Sequence, residues 1–238
     1  MAVAAKRRKL GNPLALAVMA LLSERPMHPY EIAQVLRRRG KEHSIKINYG
    51  SLYTVVQNLE KHGFVEVAGV QRQGRRPERT LYGLTADGQV ELHDWLAELV
   101  SVPAREYPLF EAALSLILVL PVDEADELLG RRIEALEARA RAVGDTLEAL
   151  AKDLPRIFVL ETEYQLHMIR AETEWIRALR QDLAAGALSG AAEWRALSET
   201  GEIPAEWMEI EERTSPDTNP DTSPDSSPDA NPGTSPGI

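Results

Sequence analysis

Amide, hydroxyl and phenol side chains are concentrated in one short stretch, INYGSLYTVVQNLEKHGFVE, which covers residues 47–66. The polar members are Asn48, Tyr49, Ser51, Tyr53, Thr54, Gln57, Asn58 and Lys61. Apolar residues recur between them with the spacing of an amphipathic helix. A face exposed only to water would more usually carry Glu, Lys and Arg. Amides, hydroxyls and aromatic side chains instead read base edges in the major groove of duplex DNA, and Lys61 suits a phosphate, so the stretch predicts a recognition helix.

Arginines follow this stretch at short intervals, between two β-type runs, FVEVAGVQ and RTLYGLT. They are Arg72, Arg75, Arg76 and Arg79. Guanidinium groups at a hairpin tip suit the phosphate backbone or the minor groove beside a recognition helix. The charge balance agrees, because residues 1–99 hold 15 Lys and Arg against 10 Asp and Glu, whereas residues 100–238 hold 12 against 27. A basic N-terminal part on a chain of net charge −10 predicts a local contact with a polyanion.

Residue types for catalysis or metal binding do not form a recognisable constellation. The sequence contains no phosphate-binding glycine loop, no nucleophile-elbow serine and no cysteine. Its five histidines are scattered, and Glu163 and His167, one helical turn apart, have no further ligand beside them. We therefore expect no metal site, no cofactor and no enzymatic activity.

The N-terminal elements follow in the order of a winged helix-turn-helix. Helices are predicted over residues 12–24, 29–39, 49–62 and 86–100. Asn12 caps the first helix, Pro29 opens the second, Gly63 stops the third and Thr85 caps the fourth. Because the third helix is followed by a β-hairpin, the hairpin is the predicted wing.

The C-terminal half is predicted to be helical. PLFEAALSLILVL is a strongly apolar helix closed by Pro121, a long helix starts at Asp123, and another covers residues 156–185 after Pro155. Apolar residues of the long helix alternate in steps of four and three, which is an a/d heptad seam. The seam is Leu129, Ile133, Leu136, Ala140, Val143, Leu147, Leu150 and Leu154. The stripe of the following helix is Leu160, Tyr164, Met168, Ala171, Trp175, Leu179 and Leu183, with Leu166, Ile169 and Ile176 alongside.

Such wide apolar surfaces predict an antiparallel helical or coiled-coil pair that also packs on a second subunit. The expected fold is mainly α with a small β-hairpin, an N-terminal winged helix-turn-helix followed by a helical dimerisation domain. The predicted homodimer contacts are Leu129, Ile133, Leu136, Val143, Leu147 and Leu150. Alternatively, the seam only closes a hairpin within one chain, and helices 86–100 and 156–185 make the dimer.

Composition predicts the remaining boundaries. Residues 213–238 repeat Ser or Asn, then Pro, then Asp or Gly, a composition typical of a disordered acidic tail. No apolar run approaches the roughly 18 residues of a membrane span, and the basic N-terminus lacks a signal-peptide cleavage site, so we expect a cytoplasmic, nucleoid-associated protein without membrane contact. The expected parts are a flexible basic arm (1–11), the DNA-binding domain (12–100), a helical dimerisation and effector domain (101–190), an acidic segment (191–212) and the tail (213–238).

Three segments resemble the PadR family of bacterial transcriptional regulators: LALAVMALLSERPMHPYEIAQVL, GSLYTVVQNLEKHGFVE and GRRPERTLYGLTADGQVEL. The likeness is closest over residues 14–96 and extends coarsely to about residue 190. It implies a winged-helix dimer that binds double-stranded DNA at pseudo-palindromic operators, with Tyr30 near the DNA backbone and Tyr53 within the recognition helix. Pro29 departs from the glycine that the family more often has before the tyrosine, yet a proline is compatible with the same first turn.

The same resemblance implies that small aromatic or drug-like effectors release some members from DNA. Trp95, Tyr107 and Trp175 are candidates for lining such an effector pocket, although each could equally be a core residue. The predicted function is a sequence-specific DNA-binding regulator, and specifically a repressor. The alternatives are a winged-helix module that binds protein instead of DNA, and a small-molecule sensor with enzymatic turnover.

Overall fold

A computed structural model describes residues 12–71, 78–205 and 207–208, without the side chains of His43, Tyr49 and Gln71. In these residues the chain is mainly α-helical with one two-stranded antiparallel sheet, which confirms the predicted fold class. It divides into two compact units, Met1–Glu106 and Tyr107–Ile238. The predicted basic arm (1–11) and acidic tail (213–238) lie outside the described residues.

The first unit begins with three short helices: α1 (Pro13–Leu22), α2 (Pro29–Arg38) and α3 (Tyr49–Lys61). Each starts at a side chain that satisfies an otherwise unpaired backbone amide. Asn12 Oδ1 accepts from Leu14 N–H at 2.9 Å, and Asn48 Oδ1 accepts from Gly50 N–H at 3.0 Å. At the end of α3, Gly63 takes a φ of +77°, which only glycine adopts without strain, and the chain turns into the sheet.

The wing consists of β1 (Val65–Gln71) and β2 (Arg79–Leu84), which pair antiparallel from Val65 opposite Leu84 to Gln71 opposite Arg79. The turn that precedes α2 is attached to this sheet. Met27 and Tyr82 exchange both backbone hydrogen bonds, N–H to O, at 3.0 Å each. The start of α2 is therefore held directly on the wing.

Helix α4 (Ala86–Ser101) completes the first unit. Its cap Thr85 accepts from Gly88 N–H at 3.0 Å and donates to the Gly63 carbonyl at 2.7 Å, so one hydroxyl links α4 to the end of α3. The core beneath these elements is continuous and includes Leu14, Ile32, Leu52, Leu59, Leu92 and Trp95. It holds α3 by its apolar face.

The second unit contains α5 (Leu109–Ser115), α6 (Val122–Asp153), α7 (Leu160–Ala185) and α8 (Ala191–Thr200). The predicted single helix up to Pro121 is wrong, because α5 ends at Ser115 and a 3-10 turn, Ile117–Val119, follows. Leu120 is extended, since the residue before a proline is disfavoured in helical conformation. Trp194 of α8 donates its indole N–H to the Leu120 carbonyl at 2.8 Å.

Helices α6 and α7 form an antiparallel pair. Arg180 of α7 donates two 2.7 Å hydrogen bonds to Asp126 near the start of α6, and Arg132 of α6 donates to Glu172 of α7 at 2.6 Å. Residue numbers therefore increase along α6 in the direction in which they decrease along α7. Apolar residues fill the space between the helices: Leu129, Ile133, Leu136, Ile169 and Ile176. The first half of the predicted seam therefore lies in a core within one chain.

The predicted apolar stripe of α7 packs on α6 only at its C-terminal end, through Leu179 and Leu183. The other buried residues of α7 are Thr173 and the three predicted alongside the stripe, Leu166, Ile169 and Ile176. Most of the predicted stripe is exposed, with Tyr164 at 67%, Met168 at 48% and Trp175 at 50%. The helix has two apolar faces, and the neighbour available within the chain decides which one is buried.

Candidate nucleic-acid interface

One face of α3 presents the polar side chains that the sequence predicted for DNA. Tyr53, Gln57 and Lys61 are four residues apart and all exposed, so they form one stripe along the helix. Thr54 and Asn58 are exposed beside that stripe. The opposite face is buried, with Leu52, Val55, Val56 and Leu59 between 0% and 8% exposed. This confirms the predicted division of the helix into a core face and a polar face.

The residues at the start of α3 use part of their hydrogen-bonding capacity on the helix itself. Asn48 caps the first turn, Ser51 Oγ donates to the Asn48 carbonyl at 2.8 Å, and Thr54 Oγ1 donates to the Gly50 carbonyl at 3.3 Å. The hydroxyl donors of Ser51 and Thr54 are therefore committed, whereas Asn48 uses its side-chain oxygen as an acceptor. The Tyr49 side chain lies outside the described residues.

The amides further along α3 are not committed in this way. In the part of the chain that the structure describes, neither Gln57 nor Asn58 uses its side-chain amide in a hydrogen bond. A carboxamide offers a donor and an acceptor together, which is the pair of groups that reads adenine in the major groove. Exposed, uncommitted amides in mid-helix are thus the chemical feature best suited to base recognition.

Tyr30 and Arg79 lie together at the end of the wing where Arg79 pairs with Gln71. Tyr30 is 43% exposed in the first turn of α2, and the Arg79 guanidinium carbon is 5.9 Å from the centroid of its ring. That geometry is a cation–π contact between α2 and β2. It places a phenol and a positive charge at one point, which suits a phosphate. The other predicted wing arginines, Arg72, Arg75 and Arg76, lie outside the described residues.

His28 is a residue of this region that the sequence analysis did not select. Its Nδ1 accepts from Tyr30 N–H at 3.1 Å and so caps α2. Its ring meets the ring of Tyr53 edge to face, with centroids 6.2 Å apart and planes at 75°. Partial burial, reinforced by the charge of Arg79, lowers the pKa of His28, while Glu31 acts in the opposite direction. A histidine directly before Pro29 was the available signal for a cap, but contact with Tyr53 depends on tertiary structure.

The residues considered for a metal ion do not come together. Glu163 is paired with Arg156, whose Nη2 lies 3.0 Å from the carboxylate. Across residues 12–71, 78–205 and 207–208, no group of three or more His, Asp or Glu side chains could hold a metal ion. The same residues include no helix long and apolar enough to cross a membrane.

The three aromatic residues considered for an effector lie in different surroundings. Trp95 is buried in the core of the first unit, whereas Tyr107 is 78% exposed in the second. Trp175 meets Phe110 edge to face, with centroids 6.4 Å apart. A cavity of about 400 Å³ in the second unit is lined by other residues: Leu118, Val119, Pro121, Leu197 and Ser198. The effector role of the three aromatics stays a prediction.

The residues predicted for dimerisation also divide into two groups. Leu129, Ile133 and Leu136 are buried within the α6–α7 pair, as in the alternative of a hairpin within one chain. Val143 and Leu147 are half-buried, and Leu150 is 38% exposed. Their role in a dimer stays a prediction.

Comparison with known proteins finds a matching family for the first unit. The Transcriptional regulator PadR-like family matches residues 18–94. A curated relative, the negative transcriptional regulator PadR of Bacillus subtilis (strain 168), is 26% identical over 138 residues, which are 58% of this chain and 74% of the relative.

Solved structures share the fold. Bacillus subtilis PadR in complex with operator DNA has a TM-score of 0.58 at 22% identity, covering 71% of this chain and 98% of that one. The same protein in complex with p-coumaric acid has a TM-score of 0.58 at 20% identity, covering 71% and 96%. Residues 18–94 of this chain therefore resemble the PadR-like family of transcriptional regulators, and the solved PadR structures share its fold.

Proposed function

We propose that this protein is a sequence-specific repressor that binds double-stranded DNA as a homodimer at a pseudo-palindromic operator. The observation that carries the proposal is the exposed stripe of Tyr53, Gln57 and Lys61 on α3, opposite a fully packed core face. The crystallisation of Bacillus subtilis PadR with operator DNA supports the same use of the shared fold. The description of that relative as a negative regulator supports repression.

In this proposal α3 selects the sequence and the wing supplies affinity. Gln57, Asn58 and Tyr53 meet base edges in the major groove, while Lys61 and the wing arginines contact phosphates. Two copies of α3 in a dimer would lie about 34–36 Å apart, one turn of DNA between half-sites. A small aromatic effector would release the dimer from DNA, by analogy with the relative crystallised with p-coumaric acid.

Selection of bound duplexes from a random pool tests the central claim. We expect an enriched pseudo-palindrome with half-sites one helical turn apart. No enrichment, together with no gel shift on the DNA upstream of its own gene, would instead favour a module that binds protein.

Two substitutions separate the roles of α3 and the wing. Gln57→Ala should weaken binding to the selected duplex by about 1–3 kcal/mol and relax selectivity at one position. Arg75→Ala with Arg76→Ala should weaken all duplexes alike and reduce the salt slope by about two, one per lost phosphate contact. Controls of matched chemistry are Gln89→Ala on the exposed side of α4 and Arg139→Ala with Arg141→Ala on α6. If the salt dependence of binding is unchanged in the wing variant, Arg75 and Arg76 do not contact phosphates in the complex.

A further inference from the structure

His28 connects three elements of the first unit. Its Nδ1 caps α2, its ring touches Tyr53 on α3, and it follows the residue that is paired to β2. The imidazole is therefore the side chain through which the start of α2 reaches the exposed stripe of the recognition helix.

The backbone on both sides of His28 is held in place. Before it, Met27 is 1% exposed and exchanges two 3.0 Å hydrogen bonds with Tyr82 of the wing. After it, Pro29 is fully buried in the first turn of α2. Because neither neighbour can move without breaking core or sheet contacts, the backbone at His28 is held in place, and the hydrogen bond from Tyr30 N–H orients its ring.

The hydrogen bond to Tyr30 also defines the chemical state of the ring. Since Nδ1 accepts from a backbone N–H, the imidazole is neutral and carries its proton on Nε2. A neutral ring of fixed orientation meets Tyr53 edge to face, the favoured arrangement of two aromatic rings. The contact restricts an otherwise mobile side chain, because Tyr53 is 45% exposed.

We propose that His28 is a positioning residue for DNA recognition, whose ring holds Tyr53 in the orientation in which that tyrosine meets base edges. His28 then contributes to sequence selectivity through Tyr53 without touching the bases itself. The inference rests on the proposed function, since it deepens the role of the same α3 face. A histidine that merely caps α2 would affect stability alone, and this difference makes the two roles separable.

Two variants distinguish the role of His28 as the cap of α2 from the role of its ring beside Tyr53. His28→Asn keeps a side-chain acceptor at the cap of α2 but removes the aromatic contact. His28→Phe keeps an aromatic ring beside Tyr53 but cannot cap. Selectivity is measured as the ratio of dissociation constants for a random duplex and the selected duplex, at a temperature below every variant's unfolding transition.

We expect His28→Asn to lower this ratio about two- to tenfold, the range for losing one edge-to-face aromatic contact, at an almost unchanged unfolding temperature. His28→Phe should show the reverse, with a lower unfolding temperature and a ratio close to that of the wild type. A wild-type ratio in His28→Asn, or equal losses of selectivity in both variants, would overturn the proposal.

A double-mutant cycle then tests whether His28 acts through Tyr53. In a Tyr53→Ala background, His28→Asn should cause no further loss of selectivity. An additive loss would show that His28 acts by another route, and an unaltered ratio in Tyr53→Ala itself would also reject the proposal. A wild-type protein that does not discriminate between duplexes would instead reject the proposed function, so the two failures are distinguishable.

Discussion

Polar side chains of the proposed DNA-binding surface fall into two groups, according to whether their polar atoms already form hydrogen bonds within the protein. Asn48 accepts from Gly50 N–H, so its oxygen stabilises the first turn of α3, whereas Gln57 makes no such bond in the described residues. Removal of a cap of this kind costs about 1 kcal/mol of helix stability. Substitutions at these two positions therefore probe different quantities, stability at Asn48 and recognition at Gln57.

His28 makes stability depend on pH in a defined direction. In the folded protein the pKa of His28 lies below its ordinary value of 6.5, first because the ring is partly buried and then because Arg79 is near, with Glu31 opposing. Between the two pKa values the unfolded chain binds more protons than the folded one, so stability is complete above about pH 6.5 and falls as pH drops through the folded pKa. Protonation also removes the Nδ1 acceptor that caps α2.

Thermal unfolding between pH 7.5 and pH 5 checks this linkage. The wild type should lose more stability over this range than His28→Asn, whose amide does not titrate. Parallel curves for the two proteins would show that His28 contributes nothing to the pH dependence.

The junction between the wing and α4 depends on close approach of two backbones. A Cβ at Gly88 would lie 2.1 Å from the Phe64 carbonyl oxygen and 2.7 Å from Leu84 Cδ1. The same carbonyl accepts from Thr85 N–H at 3.0 Å, so it cannot move away without breaking that bond. Gly88 thus allows α4 to start directly against the end of α3.

Gly88→Ala should reverse the usual effect of replacing a helical glycine. In an open helix the change stabilises by about 0.5–1 kcal/mol, but here the clash with backbone should destabilise by about 1–3 kcal/mol. Gly144→Ala in α6 is the matched control, because a Cβ there meets nothing within 4 Å. Urea denaturation followed by circular dichroism measures both, and a stabilised Gly88→Ala would contradict this account of the junction.

At the scale of the whole molecule, α7 presents an apolar face that the described part of the chain leaves largely exposed, although Phe110 meets Trp175 on it. Tyr164, Met168 and Trp175 lie on this face, and the partner α6 occupies a different one. Exposed aromatic and apolar side chains in a row are typical of a protein interface. In the proposed homodimer this face is the natural contact with the second subunit.

Met168→Glu with Trp175→Glu should therefore give monomers in sedimentation analysis, because two buried carboxylates would oppose association. Arg170→Glu with Gln181→Glu, on another exposed face of α7, should leave the dimer intact. Substitution of Leu136 is a poorer test, since this residue is 8% exposed inside the α6–α7 pair and a charge there would disrupt the chain itself. If Met168→Glu with Trp175→Glu still forms dimers, the dimer interface does not include this face of α7.

Local features of the fold were predictable because their causes lie within a few residues. The caps at Asn12 and Thr85 and the stop at Gly63 depend on hydrogen bonds and backbone angles close in sequence. The two faces of α3 follow from periodicity alone, with Leu52 and Leu59 on one side and Gln57 on the other.

Tertiary structure decided the features that depend on which surfaces meet. Helix α7 carries two apolar stripes, and only the position of α6 determines that Ile169 and Ile176 are buried while Met168 stays exposed. The contact of His28 with Tyr53 likewise joins residues far apart in sequence, and no periodicity reveals it. The sequence by itself determined most of the helices, the caps at Asn12 and Thr85 and the polar face of α3, because those are short-range. Packing decided which apolar face of α7 stayed exposed and which ring meets Tyr53, because burial is a property of the assembled chain.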